Sequence, residues 1–284
     1  MDEISFRFGT VGSPKSTPKK PGGSIGAIQR LSELGLGSLE LGWVQSVRVS
    51  GATCAGICSA AGEGNVQISV HAPYFINLNA GEDEWPNSRK RLMDAAHYGW
   101  LAGATDIVFH PGSYFGLSPS EVLPKAIDRL SGCARELHEA GNGVILRPET
   151  MGKSAMLGSL EDCLEMSKAV PGVLPCLDFA HLHARAGDGS MNSSAEWDRV
   201  IEDYRAALGD AALKHMHIHL SGIEYSQKGE RKHVPVAESD LDLAALFRSL
   251  AQHGCAGRTL CESPEMETDA LVMLSIWMTV AADA

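Results

Sequence analysis

Histidines and acidic residues recur along this chain where short apolar runs end, as in SVHAP, VFHPG, RPET, CLDFAH and LCESP. Imidazole nitrogens and carboxylate oxygens are common ligands of Zn²⁺ and also suit Mn²⁺ or Fe²⁺. Ionisable groups that converge on one buried rim resist desolvation unless cations compensate them. We therefore predict a cluster of divalent cations held by His71, His110, Glu149, Asp178, His181, one of His217 and His219, His233 and Glu262.

The choice between His217 and His219 stays open on the residues alone. A strand has a period of two, so both side chains lie on one face, and we expect at most one of them to bind a cation directly. His233 lies in the loop predicted after that strand. The other histidines are not assigned to the cluster: His97, His138, His183, His215 and His253.

Alternating apolar and amphipathic segments must position these side chains. The apolar runs predict strands at Ser5–Val11, Ser38–Leu41, Val66–His71, Asp106–His110, Gly143–Glu149, Val173–Phe179, His215–Leu220 and Arg258–Glu262. Helices are predicted between them, at Ile25–Leu34, Ser88–Leu101, Ser120–Glu139, Leu160–Ala169, Ala195–Leu208 and Leu241–His253. About eight β/α pairs at this spacing predict a single (β/α)8 barrel, one domain over residues 1–284, with its site at the carboxyl ends of the strands.

The main alternative fold is a doubly wound open sheet. That fold would carry a glycine-rich phosphate loop after the first strand. The segment Gly9–Gly12 is too short for such a loop and lacks the third glycine. The closed barrel is therefore the favoured prediction.

The net charge and the cysteine content limit the kinds of partner and the compartment that we expect for this protein. The formal charge is −11 with a pI of about 5.4, which argues against a non-specific nucleic-acid coat or a membrane-surface binder. The negative charge does not exclude DNA as a partner, because bound cations would add local positive charge. The seven cysteines are odd in number and include no CxxC pair, and the sequence shows no leader pattern and no long apolar stretch, so we expect a cytoplasmic protein.

Several of these motifs together resemble one known family, the endonuclease IV family of apurinic/apyrimidinic endonucleases, within the xylose-isomerase-like barrels. The matching pieces run in order from residue 71 to residue 264: HAPYFINL, FHPG, PETMG, LDFAH, HLS and LCESP. Each piece is short, but the set covers most of the chain.

The resemblance implies a cluster of two or three zinc ions. His71 and His110 would hold the first ion, and Glu149 would bridge the first and second. Asp178, Glu262 and His219 would complete the second site, His219 being preferred to His217 because Leu and a small polar residue follow it. The resemblance assigns His181 and His233 to the third ion.

The chain departs from the family near the third ion. The family has an aspartate two residues before the histidine that matches His233, whereas this chain has Arg231. Arginine cannot bind a cation, so either Glu230, displaced by one residue, takes that place, or the third site is weak or empty, or the chemistry differs from that of the family. Tyr74 matches a family tyrosine that helps to open DNA at the lesion. Arg48 is only a loose candidate for the family's inserted arginine.

The resemblance implies hydrolysis of the phosphodiester bond on the 5′ side of an abasic site in double-stranded DNA. Glu149 and Glu262 are the candidate catalytic residues, and we expect a monomer. One alternative is a metal-dependent sugar isomerase or epimerase on the same barrel, which would use a metal held mainly by carboxylates and one histidine. The other is a barrel that only binds metal or a partner.

Overall fold

The computed structural model describes residues 6–282 of the chain. Its strands are β1 (Phe6–Val11), β2 (Ser38–Gly42), β3 (Gln67–His71), β4 (Ala104–Phe109), β5 (Ile145–Pro148), β6 (Cys176–Asp178), β7 (Met216–Leu220), β8 (Gly222–Ser226), β9 (Gly229–Val234) and β10 (Gly257–Cys261). Its helices are α1 (Gly23–Glu33), α2 (Gly51–Gly64), α3 (Trp85–Leu101), α4 (Pro119–Glu139), α5 (Leu160–Ala169), α6 (Phe179–Arg185), α7 (Ser194–Leu208), α8 (Leu243–Gln252) and α9 (Glu267–Ala282).

Eight of the strands form one parallel sheet in the order β5-β4-β3-β2-β1-β10-β7-β6. The two outer strands meet through parallel bridges at Leu146–Val173 and Glu149–Cys176, which nearly close the barrel. The predicted (β/α)8 fold is therefore confirmed, and every predicted strand overlaps an observed one. Ser5, the first residue of the predicted first strand, lies outside the described residues.

The helices surround the barrel and begin at recognisable capping residues. Ser118, Ser159 and Ser193 form capping boxes at the starts of α4, α5 and α7, which satisfy backbone N–H groups at each helix start. The helix predicted from Leu241 begins instead at Leu243, because the Asp242 side chain accepts a hydrogen bond from the Ala245 N–H. No helix between residues 6 and 282 is long and apolar enough to cross a membrane.

The interior of the barrel is polar at several levels, which is why a charged cluster can form at one end. At the amino ends of the strands, Asp106 pairs with Arg147 at 2.6 Å and with Arg258 at 3.1 Å. One level higher, the Ser69 hydroxyl donates to Glu40 at 2.7 Å. The period of two along β3 then places His71 on the same inner face as Ser69, at the carboxyl end.

The segment after β7 is an antiparallel hairpin, β8–β9, so the prediction that His233 lies in a loop is wrong. Its register pairs Glu224 with Lys232 and Tyr225 with Glu230, which leaves Arg231 as the extra residue of a β-bulge. Arg231 and Lys232 both contact Glu224, at 2.7 and 3.2 Å.

Candidate metal centre

The carboxyl ends of the barrel strands bring the predicted ligands into one cluster. Their potential ligand atoms form three groups, each within 4.8 Å: His71, His110 and Glu149; Glu149, Asp178, His219 and Glu262; and Asp178, His181 and His233. Six of these residues lie on barrel strands or directly after them, His181 lies on the helix after β6, and His233 lies on the hairpin strand β9. The structure therefore places all eight predicted side chains at one rim.

Glu149 lies between two of these groups. One of its oxygens, Oε2, is 3.3 Å from Nε2 of His71 and 3.3 Å from Nε2 of His110. The other oxygen, Oε1, is 3.3 Å from Nδ1 of His219. The carboxylate is fully buried. Its two oxygens thus face different sets of ligands, which is the geometry of a carboxylate that bridges two cations.

The orientation of His71 suits a metal ligand. Its Nδ1 lies 2.9 Å from the Ala72 carbonyl oxygen. We infer that Nδ1–H donates to this oxygen, so the lone pair at Nε2 faces Glu149. Burial alone would lower the pKa of His71, but the carboxylates of Glu149, Glu40 and Glu262 together outweigh burial and raise the pKa to about 8.

The buried oxygens of the cluster fit a divalent cation. Within residues 6–282, neither Oε2 of Glu149 nor Oδ2 of Asp178 has a hydrogen-bond partner. A buried polar atom without a partner costs about 1–3 kcal/mol, and more when it is charged. Cations between these carboxylates and the neighbouring imidazoles would remove that cost, and the donor set is one that Zn²⁺ accepts. The residues present therefore fit the cations that the sequence pattern predicted.

Glu40 on β2 is a buried acidic residue of this region that sequence reasoning missed. Its Oε1 lies 2.9 Å from Nε2 of His219, and its Oε2 lies 2.9 Å from Nε2 of His217. His219 thus turns Nδ1 toward Glu149 and Glu262, whereas His217 faces Glu40 one level below the rim. Burial lowers the pKa of His217 to about 4. A glutamate inside the apolar run SLELG was the available signal.

Tyr74 lies at the rim beside the histidines. Its ring stacks on His110 with centroids 5.0 Å apart and meets His71 edge-on at 5.3 Å. The residue is 46% exposed. Burial and the nearby carboxylates, Glu262 first, raise the pKa of the Tyr74 hydroxyl to about 12. Arg48 is exposed on the loop that follows β2.

A cavity of about 380 Å³ opens above the cluster. It is lined by His71, Tyr74, His110, Met151, Lys153, Met156, His181, Glu230, His233 and Glu262. A second cavity, of about 470 Å³, lies at the opposite end of the barrel. Two of the three arginines that line it, Arg147 and Arg258, are paired with Asp106, and none of the predicted ligands lines it.

Comparison with known proteins identifies the class. Residues 28–277 match the xylose isomerase-like TIM barrel family, and the chain belongs to it. The chain is 34% identical over 276 residues to an uncharacterized protein of Methanocaldococcus jannaschii, covering 97% of this chain and 98% of that protein. It is 29% identical over 203 residues to the probable endonuclease 4 of Shouchella clausii, covering 68% of this chain and 65% of that protein.

Solved structures show the same fold with different activities in their names. Endonuclease IV from Thermus thermophilus superposes with a TM-score of 0.68 at 19% identity, covering 97% of this chain and 100% of that chain. A D-tagatose 3-epimerase-like protein superposes with a TM-score of 0.71 at 16% identity, covering 96% and 98%. The family resemblance drawn from the motifs is confirmed, and proteins named for different activities share the fold.

Proposed function

We propose that this protein is a metal-dependent endonuclease that hydrolyses the phosphodiester bond 5′ to an abasic site in double-stranded DNA. The observation that carries the proposal is Glu149, whose two buried oxygens face two separate ligand groups. Hydrolysis of a phosphodiester is the reaction that adjacent cations serve best, because both the attacking and the leaving oxygen carry developing charge. The similarity to proteins named probable endonuclease 4 supports it.

The residues divide among the proposed ions as the motifs imply. His71, His110 and Glu149 would hold one ion, and Glu149, Asp178, His219 and Glu262 a second; His181 and His233 would contribute to a third. Zn²⁺ suits these ligands best, and Mn²⁺ or Fe²⁺ is compatible with them. When bound, such ions lower the pKa of water from about 15.7 toward neutrality and neutralise phosphoryl charge.

Glu262 and Tyr74 act on the substrate side of the cluster. Glu262 has one oxygen 3.5 Å from His219 and the other 3.8 Å from His233, and its side chain reaches the cavity. We assign it to orient the attacking water and to accept its proton. Tyr74 is placed to support the displaced strand at the rim. A sugar without a base fits a cavity of about 380 Å³ more readily than an intact nucleotide, which would provide selectivity.

Substitution of Glu149 by glutamine tests this proposal. The change keeps the shape of the side chain but removes the charge shared by both groups, so cleavage of a duplex with one abasic site should fall at least about 1,000-fold. Cleavage is measured on a gel with Zn²⁺-loaded protein, and circular dichroism reports the fold. The products should carry a 3′-hydroxyl and a 5′-deoxyribose phosphate. Near-normal cleavage by Glu149→Gln would contradict the bridging role.

A second candidate function, a sugar isomerase or epimerase, is favoured by one specific observation. The group Glu149, Asp178, His219 and Glu262 supplies three carboxylates and one histidine within 4.8 Å, which is the ligand pattern expected of those enzymes. The variant His110→Ala separates the two functions, because His110 belongs only to the other group. It should abolish cleavage of abasic DNA, whereas a sugar isomerase would retain most of its turnover of ketohexoses.

A further inference from the structure

The bulge in β9 changes which residue faces the third ligand group. In a regular strand, Arg231 would share a face with His233, two residues later. The bulge places Arg231 beside Lys232 against Glu224, at distances of 2.7 and 3.2 Å. Glu230 consequently lies on the side of His233 and reaches the cavity, with Oε2 3.5 Å from Nε2 of His181.

The orientation of the His181 ring indicates which of two carboxylates, Asp178 or Glu230, could bind the same cation as its Nε2 atom. Its Nδ1 lies 2.9 Å from the Thr150 carbonyl oxygen, to which we infer it donates, so the lone pair is at Nε2. Asp178 approaches the Nδ1 side, at 3.3 Å. Nε2 faces Glu230 at 3.5 Å and Nε2 of His233 at 3.2 Å. Glu230, rather than Asp178, therefore shares the open side of His181 with His233.

The chain makes room for Glu230 at Gly152. A Cβ atom at Gly152 would lie 2.6 Å from the Glu230 Cβ, closer than real Cβ contacts, and 3.1 Å from the His181 ring, which is tighter than most of them. The Glu230 N–H also donates to the Gly152 carbonyl at 2.9 Å, which fixes the backbone at the bulge. Any larger residue at position 152 would push Glu230 away from His181.

We propose that a divalent cation of the Zn²⁺ class is bound by Nε2 of His181, Nε2 of His233 and a carboxylate oxygen of Glu230. Ligand atoms bound to zinc at about 2.0–2.1 Å in a tetrahedron lie roughly 3.4 Å apart. The two observed separations, 3.2 and 3.5 Å, match that spacing. This inference rests on the proposed metal centre and replaces the missing aspartate with a residue one position earlier in the chain.

Metal counting tests the inference without any substrate. Each protein is stripped with a chelator, reloaded with Zn²⁺, desalted and analysed by mass spectrometry of the metal. The wild type should hold three ions per chain and Glu230→Gln two. Gly152→Ala should also hold two, although every ligand remains. Arg231→Ala, which removes a charge from the neighbouring residue, should hold three. Circular dichroism of the metal-free variants checks that each one folds.

Each possible number of zinc ions per chain either supports the proposed site or overturns it. A wild type with only two ions, a Glu230→Gln variant with three, or an equal loss in Arg231→Ala would overturn it. The proposed nuclease activity is judged separately. A wild type with three ions that fails to cut abasic DNA would refute the activity and leave the site intact, whereas an active Glu230→Gln enzyme with three ions would refute only the site.

Discussion

Glu40 faces no substrate, but it lies against a candidate metal ligand, His219, and affects how that histidine is protonated. It contacts His219 on the nitrogen opposite to the one that faces Glu149 and Glu262. Within the described residues neither Oε1 of Glu40 nor Nε2 of His219 has a hydrogen-bond partner, so the carboxylate acts through its charge. At 2.9 Å this charge favours the proton on Nε2 and increases the basicity of Nδ1. The burial of its charge is offset by two imidazoles and the Ser69 hydroxyl.

The variant Glu40→Gln should weaken metal binding. Loss of the negative charge behind His219 is expected to raise the dissociation constant of the most tightly bound Zn²⁺ about 10- to 100-fold. A competition titration against a coloured chelator measures this constant. Ser69→Ala is the matched control, because it removes one donor to Glu40 and leaves the charge in place. Equal affinities in the wild type and Glu40→Gln would show that Glu40 acts only in packing.

The raised pKa values of two buried histidines predict how the stability of the metal-free protein depends on pH. Burial opposes protonation, but Glu149 raises the pKa of His71 to about 8, and Asp178 and Glu149 raise that of His181 to about 9. Both values exceed the unfolded value of about 6.5. Their protons therefore stabilise the fold fully below about pH 6.5, and this stability is lost as the pH rises through 8 and 9. His217, with a pKa of about 4, is neutral in this range.

Urea denaturation at a series of pH values measures this effect. The free energy of unfolding of the chelator-treated protein should fall between about pH 6.5 and pH 9.5. The Zn²⁺-loaded protein should not show the fall, because cations replace the protons and bind better as histidines deprotonate. A metal-free protein that gains stability over this interval would contradict the assigned directions.

The residues at the strand ends were predictable from the sequence, and the β8–β9 hairpin was not. An ionisable residue after an apolar run is visible in the amino-acid sequence, so His71, His110 and Glu149 could be assigned to the rim from sequence alone. The bulge depends on how β8 pairs with β9, and no local pattern in GERKHV specifies that pairing. Glu40 was missed because a single acidic residue in a strand more often faces solvent than the interior.

Gly9 on β1 lies so close to β2 that the barrel has no room for a side chain at this position. A Cβ atom there would lie 1.8 Å from the Ser38 carbonyl oxygen, so β1 and β2 could not keep their spacing. Gly9→Ala should lower the free energy of unfolding by about 3 kcal/mol or more, as overpacking of a rigid core does. Thermal or urea unfolding measures the change. Gly42→Ala, on β2 with open space around it, is the control and should remain within about 1 kcal/mol.

Under the proposed function, this acidic protein must bind a polyanion. The formal charge is −11, so attraction to DNA depends on the ions and on basic groups near the site, such as Lys153 in the cavity wall and Arg231 and Lys232 on the hairpin. We expect affinity for DNA to be strongly dependent on bound metal and on salt.

A salt titration tests that expectation. Each phosphate contacted releases counterions, so affinity for the abasic duplex should fall about tenfold for every two contacts between about 50 and 200 mM salt. Fluorescence anisotropy of the metal-loaded wild type, on an abasic duplex whose scissile linkage is replaced by a non-cleavable one, measures this affinity. The metal-stripped protein serves as the control and should bind far more weakly. An affinity that is indifferent to salt would favour an uncharged substrate such as a sugar.

The bulge at Arg231 also affects how this sequence should be compared with its relatives. Counting back two residues from His233, as the motif resemblance does, places Arg231 where the family has an aspartate and would score the ligand as lost. In three dimensions, Glu230 occupies the space beside His181, and Gly152, far earlier in the chain, keeps that space clear. Whether a relative keeps a metal ligand here is therefore better judged by which side chains share a face of the hairpin strand than by sequence position. If Glu230 binds a cation as proposed, a glycine opposite the hairpin would mark chains in which the displaced residue takes that place.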